Sequence, residues 1–150
     1  MKEKTKIVTL DDVRYQVSRF RPDVGTFILM RLMGAVVKAG AENASNAPTS
    51  AEGAEPPSPQ DVARMVCGAA LMGNVDQEFH QYVQRQALVL CSRLEQHEGT
   101  ETPIPISTAT ELLPDIADDF GLVMRLTMEC LVFNFSDFFA QGGMRALGAA

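Results

Sequence analysis

Two hydrophobic periods follow one another along this chain. Between Lys6 and Phe20, Val13, Tyr15 and Val17 alternate with Arg14, Gln16 and Ser18. A period of two marks a half-buried strand. With KIVTL ahead of it and Asp11-Asp12 between, the stretch 6–20 predicts a small β-hairpin, although Asp-Asp is a weaker turn pair than Asn-Gly. A lone hairpin is barely stable in water, so its apolar face must rest on other elements.

From Pro22 the period becomes helical. Pro22 and Asp23 suit a first turn, and Val24, Phe27, Ile28, Leu32, Ala35, Val36 and Ala39 make a broad apolar face for a helix over 22–40, which Gly40 is placed to end. Residues 41–58 carry Ala, Ser, Asn, Glu, Pro and Gly with no aromatic or β-branched aliphatic side chain. Such a stretch buries too little to offset the entropy of ordering it and is read as a mobile, disordered loop. Ser58-Pro59-Gln60-Asp61 is a capped helix start, and Val62, Met65, Val66, Ala69 and Ala70 continue it over 59–73. A third helix is predicted over 76–98 from the stripe Phe79, Val83, Ala87, Leu90, Cys91 and Leu94, stopped by Gly99. Thr100–Ser107 contains Pro103 and Pro105, so it is extended and unfit for a central strand. Thr108 with Glu111 has the spacing of a capping box.

The last helix, predicted over 114–135, contains the longest apolar run, FGLVMRLTMECLVFNFSDFF from Phe120 to Phe139. Before Asn134, only Arg125, Thr127 and Glu129 interrupt it, and Arg125 and Glu129 stand four apart, able to pair. A helix apolar nearly all round is buried among neighbours or faces a partner. The expected fold is therefore mainly α: about four helices (22–40, 59–73, 76–98, 114–135), a small N-terminal β-hairpin (6–20) and a mobile loop (41–58). Residues 1–150 form a single domain on this reading, because 40 residues before the loop are too few for their own core.

Composition narrows the function classes. A net charge of −6 argues against a nucleic-acid backbone as partner. Cys67, Cys91 and Cys130 are odd in number and sit at apolar helical positions, as buried thiols of a reducing compartment do. No signal peptide is visible at the N-terminus, and the run near Phe120 meets charge too soon to span a bilayer. His80 and His97 lie 17 residues apart without a ligand cluster, so no metal site is expected. Gly68 and Gly73 lack the Lys-Ser/Thr of a phosphate loop. Asp118 and Asp119 suit a helix N-terminus better than acid-base work. The chain is read as a non-enzyme without cofactors. Of its eight methionines, six (Met30, Met33, Met65, Met72, Met124, Met128) fall on predicted helices. Met fills core gaps more often than it makes adaptable binding surfaces, and the core reading is favoured.

The ending LVFNFSDFF, an apolar helix closing on Asn-Phe-x-Asp-Phe-Phe, resembles the tail assembly chaperones of long-tailed bacteriophages. The strand pair KIVTLDDVRYQVSRF leading through RFRPDVG into a helix is similar to that family's opening. The resemblance implies a helical, non-catalytic protein of the bacterial host cytoplasm, not in the mature virion. It implies binding to the tape measure protein, help in recruiting the major tail tube protein, and room for a homo-oligomer, with neither nucleic acid nor membrane as partner. Phe133, Asn134, Phe135, Asp137, Phe138 and Phe139 carry the likeness and are the candidate partner-binding residues. The competing reading has the four phenylalanines packing the helix onto the core, with Asn134 and Asp137 as caps where it ends. Other functions compatible with the pattern are a small helical adaptor or regulatory protein, and a minor structural tail protein such as a terminator or completion protein.

Overall fold

A computed structural model of the chain describes residues 3–43, 58–73, 75–108 and 111–141. The order of elements is β1 (Thr5–Leu10), β2 (Val13–Ser18), α1 (Pro22–Asn43), α2 (Pro59–Gly73), α3 (Gln77–Leu88), β3 (Cys91–His97), β4 (Thr100–Pro105), α4 (Pro114–Ala117) and α5 (Phe120–Ala140). The N-terminal hairpin forms as expected, with Asp11 and Asp12 at φ 52° and 64° in its two-residue turn. That turn matches the right-handed twist of the strands it joins.

The hairpin is not alone, and this overturns the mainly α expectation. The predicted helix 76–98 stops at Leu88, and a second hairpin follows, with Glu98 (φ 52°) and Gly99 (φ 80°) as its turn. Together the hairpins form one four-stranded antiparallel sheet in the order β1-β2-β3-β4. Leu, Arg, Glu and Gln in β3 favour a helix by only a few tenths of a kcal/mol each, roughly, so ladders on both sides of the strand outweigh them. The change moves side chains. Cys91 and Leu94 would share a helical face, but three apart in a strand they point to opposite faces of the sheet. Cys91 is buried against the helices, and Leu94 lies half-buried on the other side. β4, with its two prolines, takes an edge position, where missing N–H groups cost nothing.

Three further boundaries differ. α1 runs through Gly40 to Asn43, and the rest of the expected loop, 44–57, lies outside the described residues. Thr108 Oγ1 does accept from the Glu111 N–H at 3.1 Å, but Ser107 and Leu112 on either side form a β-bridge, and the next helix starts only at Pro114. The helix expected over 114–135 is two helices. α4 ends at Ala117, and Asp119 N-caps α5 by accepting from the Leu122 N–H at 3.0 Å. α5 then continues to Ala140.

α5 is the axis of the molecule. One side, Leu122, Val123, Leu126, Cys130 and Phe133, packs with Val8, Tyr15 and Val17 of the first hairpin. Another, Leu131 and Phe135, joins Ile28 and Leu32 of α1, Cys67 and Ala70 of α2, and Phe79 and Val83 of α3. Arg125 and Glu129 do not pair with each other. Arg125 reaches Asp11 in the first turn, with Nη1 3.3 Å from Oδ1, and Glu129 takes Arg64 of α2 at 2.9 Å. The two charges thus tie α5 to the hairpin tip and to α2, while Phe120 at its start stands 80% exposed.

Candidate functional site

The stretch Phe133–Phe139 lies within the last two turns of α5 and faces the link between β2 and α1. Asn134 holds that link. Its Oδ1 accepts from the Phe20 N–H at 2.9 Å, and its Nδ2 donates to the carbonyls of Ser18 at 3.1 Å and Cys130 at 2.8 Å. An amide has both acceptor and donors, so it satisfies main-chain groups of either kind where a strand gives way to a helix. Asn134 is therefore a cross-link and not a helix cap.

Arg19 completes the fastening. Its Nη1 donates to the Phe133 carbonyl at 2.9 Å, its guanidinium stacks 4.1 Å from the Phe133 ring centre, and Nη2 lies 3.8 Å from Asp137. Phe20, next in sequence, stacks on Phe135 at 5.9 Å between ring centres. Gly25 in the first turn of α1 makes room for it, since a Cβ there would lie 3.2 Å from Phe20 Cβ. The Gln141 N–H closes α5 by donating to the main-chain carbonyl of Asp137.

The six residues of the ending thus divide. Phe133 and Phe135 are buried, and Asn134 is engaged by the link. Asp137, Phe138 and Phe139 are half-buried, with Phe138 and Phe139 edge-to-face at 5.3 Å. Phe138, with Arg21, Pro22, Thr26, Leu29 and Gln141, lines an open cleft of about 410 Å³ between α5 and the start of α1. Phe139 leans on the helical core.

A second apolar surface has no counterpart in the sequence reading. Phe27 is 47% and Met30 52% exposed on α1. The Phe27 ring meets Tyr82 of α3 edge-on at 5.4 Å and Phe79 at 6.1 Å. Arg31 lies 5.0 Å over Phe79, and Asp76 and Glu78 border the groove, whose volume is about 440 Å³. The signal was present in the spacing. Phe27 and Ile28 are neighbours, about 100° apart on a helix, so both could not sit at the centre of one buried face. Phe27, Met30, Arg31 and Gly34 form their own i, i+3, i+4, i+7 stripe, all exposed. Met65 (66%) and Met72 (85%) also stand out from α2, whereas Met33 is buried.

The site's chemistry is that of packing surfaces. All three cysteines are buried and free. Burial pushes the Cys67 thiol up to about 12, and a hydrogen bond with Cys91, with burial, raises Cys130 well above the ordinary thiol range. Among the described residues no group of His, Cys, Asp and Glu is placed to hold a metal ion, and no helix is long and apolar enough to cross a membrane.

These elements define an α+β scaffold, a one-sided antiparallel sheet on a central helix, with aromatic clefts between its helices. The chain belongs to the phage tail assembly chaperones: the family described as phage tail assembly chaperone protein, TAC, matches residues 11–146, from the first turn through the whole of α5. Compared with curated proteins and with solved structures, the chain finds no match. Membership assigns a role in phage tail assembly within the host cell and contact with other tail proteins.

Proposed function

We propose that this chaperone binds the tape measure protein of its phage, keeps that protein's apolar helices soluble, helps recruit major tail tube subunits and leaves before the virion is complete. It does so as a single domain of the host cytoplasm and without catalysis. The observation that carries the reading is the set of large apolar side chains left open on the helices: Phe27 and Met30 on α1 beside Tyr82, and Phe138 in the cleft next to α5. An amphipathic helix docks by inserting apolar side chains, one turn apart, into grooves of this kind. Flexible Met side chains adapt such a surface to varied clients. Within the ending, Phe138 and Phe139 contact the client, while Phe133, Asn134, Phe135 and Asp137 hold the surface in place.

Co-expression tests it. The tape measure protein is expected to move into the soluble fraction with the wild-type chain and to remain insoluble with Phe27→Asp/Met30→Asp or Phe138→Ser/Phe139→Ser, each variant melting near the wild-type temperature. No gain in solubility with the wild-type chain would end the tape measure reading. Collapse of the Phe138→Ser/Phe139→Ser fold would return that pair to the core.

A further inference from the structure

The two edges of the sheet are built differently. In a two-residue antiparallel hairpin the closing pair exchanges its main-chain hydrogen bonds, and every second pair beyond it does the same. In the second hairpin His97 pairs with Thr100, Glu95 with Thr102 and Arg93 with Ile104, so the outward positions of β4 are Glu101, Pro103 and Pro105. Two of these three have no N–H, and this edge is closed to another strand. In the first hairpin Leu10 pairs with Val13, Val8 with Tyr15 and Lys6 with Val17, so Thr5, Ile7 and Thr9 turn their N–H and C=O groups outward. All three are exposed, none is proline, and among the described residues no strand pairs with them. Edge strands are ordinarily protected by proline, bulges or inward charge. β4 has the proline protection; β1 carries a single inward charge, Lys6, and no proline, and its outward main-chain groups stay free to pair.

We propose that β1 pairs antiparallel with β1 of a second copy of this chain, about a two-fold axis at Ile7, joining their sheets into one. Register selects this arrangement. With Ile7 opposite Ile7 of the partner, Thr5 falls opposite Thr9, and all three outward residues form hydrogen-bonded pairs, roughly six main-chain hydrogen bonds in total. Shifting the axis to Val8 leaves Thr5 outside the ladder. Lys6 is the strand's single charge and falls opposite Val8, so no like charges meet. Ile7, 45% exposed on the open face of the sheet, covers its own copy. That face is nearly free of net charge, since Arg14 is paired with Glu101 across it. Because β4 cannot accept β1 of a further copy, the contact is isologous and closes at a dimer instead of growing into a filament.

Light scattering after size exclusion, on the full chain at high micromolar concentration, is expected to give twice the chain mass. Ile7→Lys places like charges together, and Thr9→Pro removes an N–H that β2 does not use. Both are expected to halve the mass while keeping the wild-type far-UV spectrum. Hydrogen exchange on the wild-type chain reads the same contact without a variant: the amides of Thr5, Ile7 and Thr9 exchange slowly in the dimer. A monomeric wild-type chain, an open series of larger species, a variant that folds and stays dimeric, or fast exchange at those three amides would each overturn the proposal. So would protection that develops only when another tail protein is added.

Discussion

Asn134 shows how much a single side chain does at the junction of sheet and helices. Two of its hydrogen bonds go to main-chain groups at the end of β2 and in the link, those of Ser18 and Phe20, and a third goes to the Cys130 carbonyl within α5. Each net bond contributes about 1 kcal/mol, and the stranded Phe20 N–H adds to the loss when its acceptor is removed. Asn134→Ala is therefore expected to lower unfolding free energy by about 2–3 kcal/mol, measured by urea denaturation with the slope unchanged. A loss under about 0.5 kcal/mol would mean that water replaces the amide. The cysteines give a chemical reading of the same interior. The thiolate is the nucleophile; burial disfavours it at Cys67, the hydrogen bond with Cys91 and then burial disfavour it at Cys130, and Cys91 is fully enclosed. A disulfide reagent at pH 8 should leave all three thiols unmodified in the native state and titrate all three in denaturant.

At the scale of elements, the decisive one is β3. Its seven residues include strong helix formers, and its boundary with α3 lies at Val89-Leu90, where the Leu90 N–H bonds back to the Ala87 carbonyl at 3.1 Å. The strand exists because β2 offers an open ladder and because Glu98-Gly99 closes a tight turn. Glu98 holds a left-handed conformation that a non-glycine, non-Asn side chain adopts at a cost of roughly 1–2 kcal/mol. Glu98→Asn should raise stability by about 0.5–1 kcal/mol, since Asn-Gly is the favoured pair for this turn. Were 76–98 a helix, the same change near its end would leave stability unaltered or lower it. Thermal melting of the two proteins distinguishes the outcomes.

Across the whole molecule, ion pairs join elements that also meet in the core. Arg125 joins α5 to the first turn through Asp11, and Arg93 on β3 joins α4 through Asp115. The hydrogen bond from Arg125 holds the Asp11 carboxyl below its ordinary range, and that from Arg93 does the same for Asp115. A carboxylate whose folded pKa is depressed contributes stability above its unfolded value, near pH 4, and loses it as pH falls through the folded value. Melting temperature should hold on the acid side down to about pH 4 and drop below it, with a shallower drop in Asp11→Asn/Asp115→Asn. Both carboxylates are solvent-facing, so added salt should reduce their share.

What the chain discloses without its structure follows from local periods. The alternation in Val13–Val17, the Ser58-Pro59 start and the apolar run from Phe120 specify β2, α2 and α5 through contacts within a few residues. The ending Asn-Phe-x-Asp-Phe-Phe pointed to the tail assembly chaperones, and the match over residues 11–146 places the chain there. The second hairpin was not legible, because Leu90, Cys91 and Leu94 satisfy a helical spacing as well as a strand does over so short a stretch. Only pairing with β2, more than 70 residues earlier in the chain, separates the two. The division of the Phe133–Phe139 ending was hidden for the same reason. Which of its side chains are buried depends on the Ser18–Phe20 link that lies against it, a contact between distant parts of the chain. Spacing shows that Phe27 and Ile28 cannot share one buried face; tertiary structure decided that Ile28 is sealed while Phe27 and Met30 stay open, because α2, α3 and α5 together close around Ile28 and Leu32.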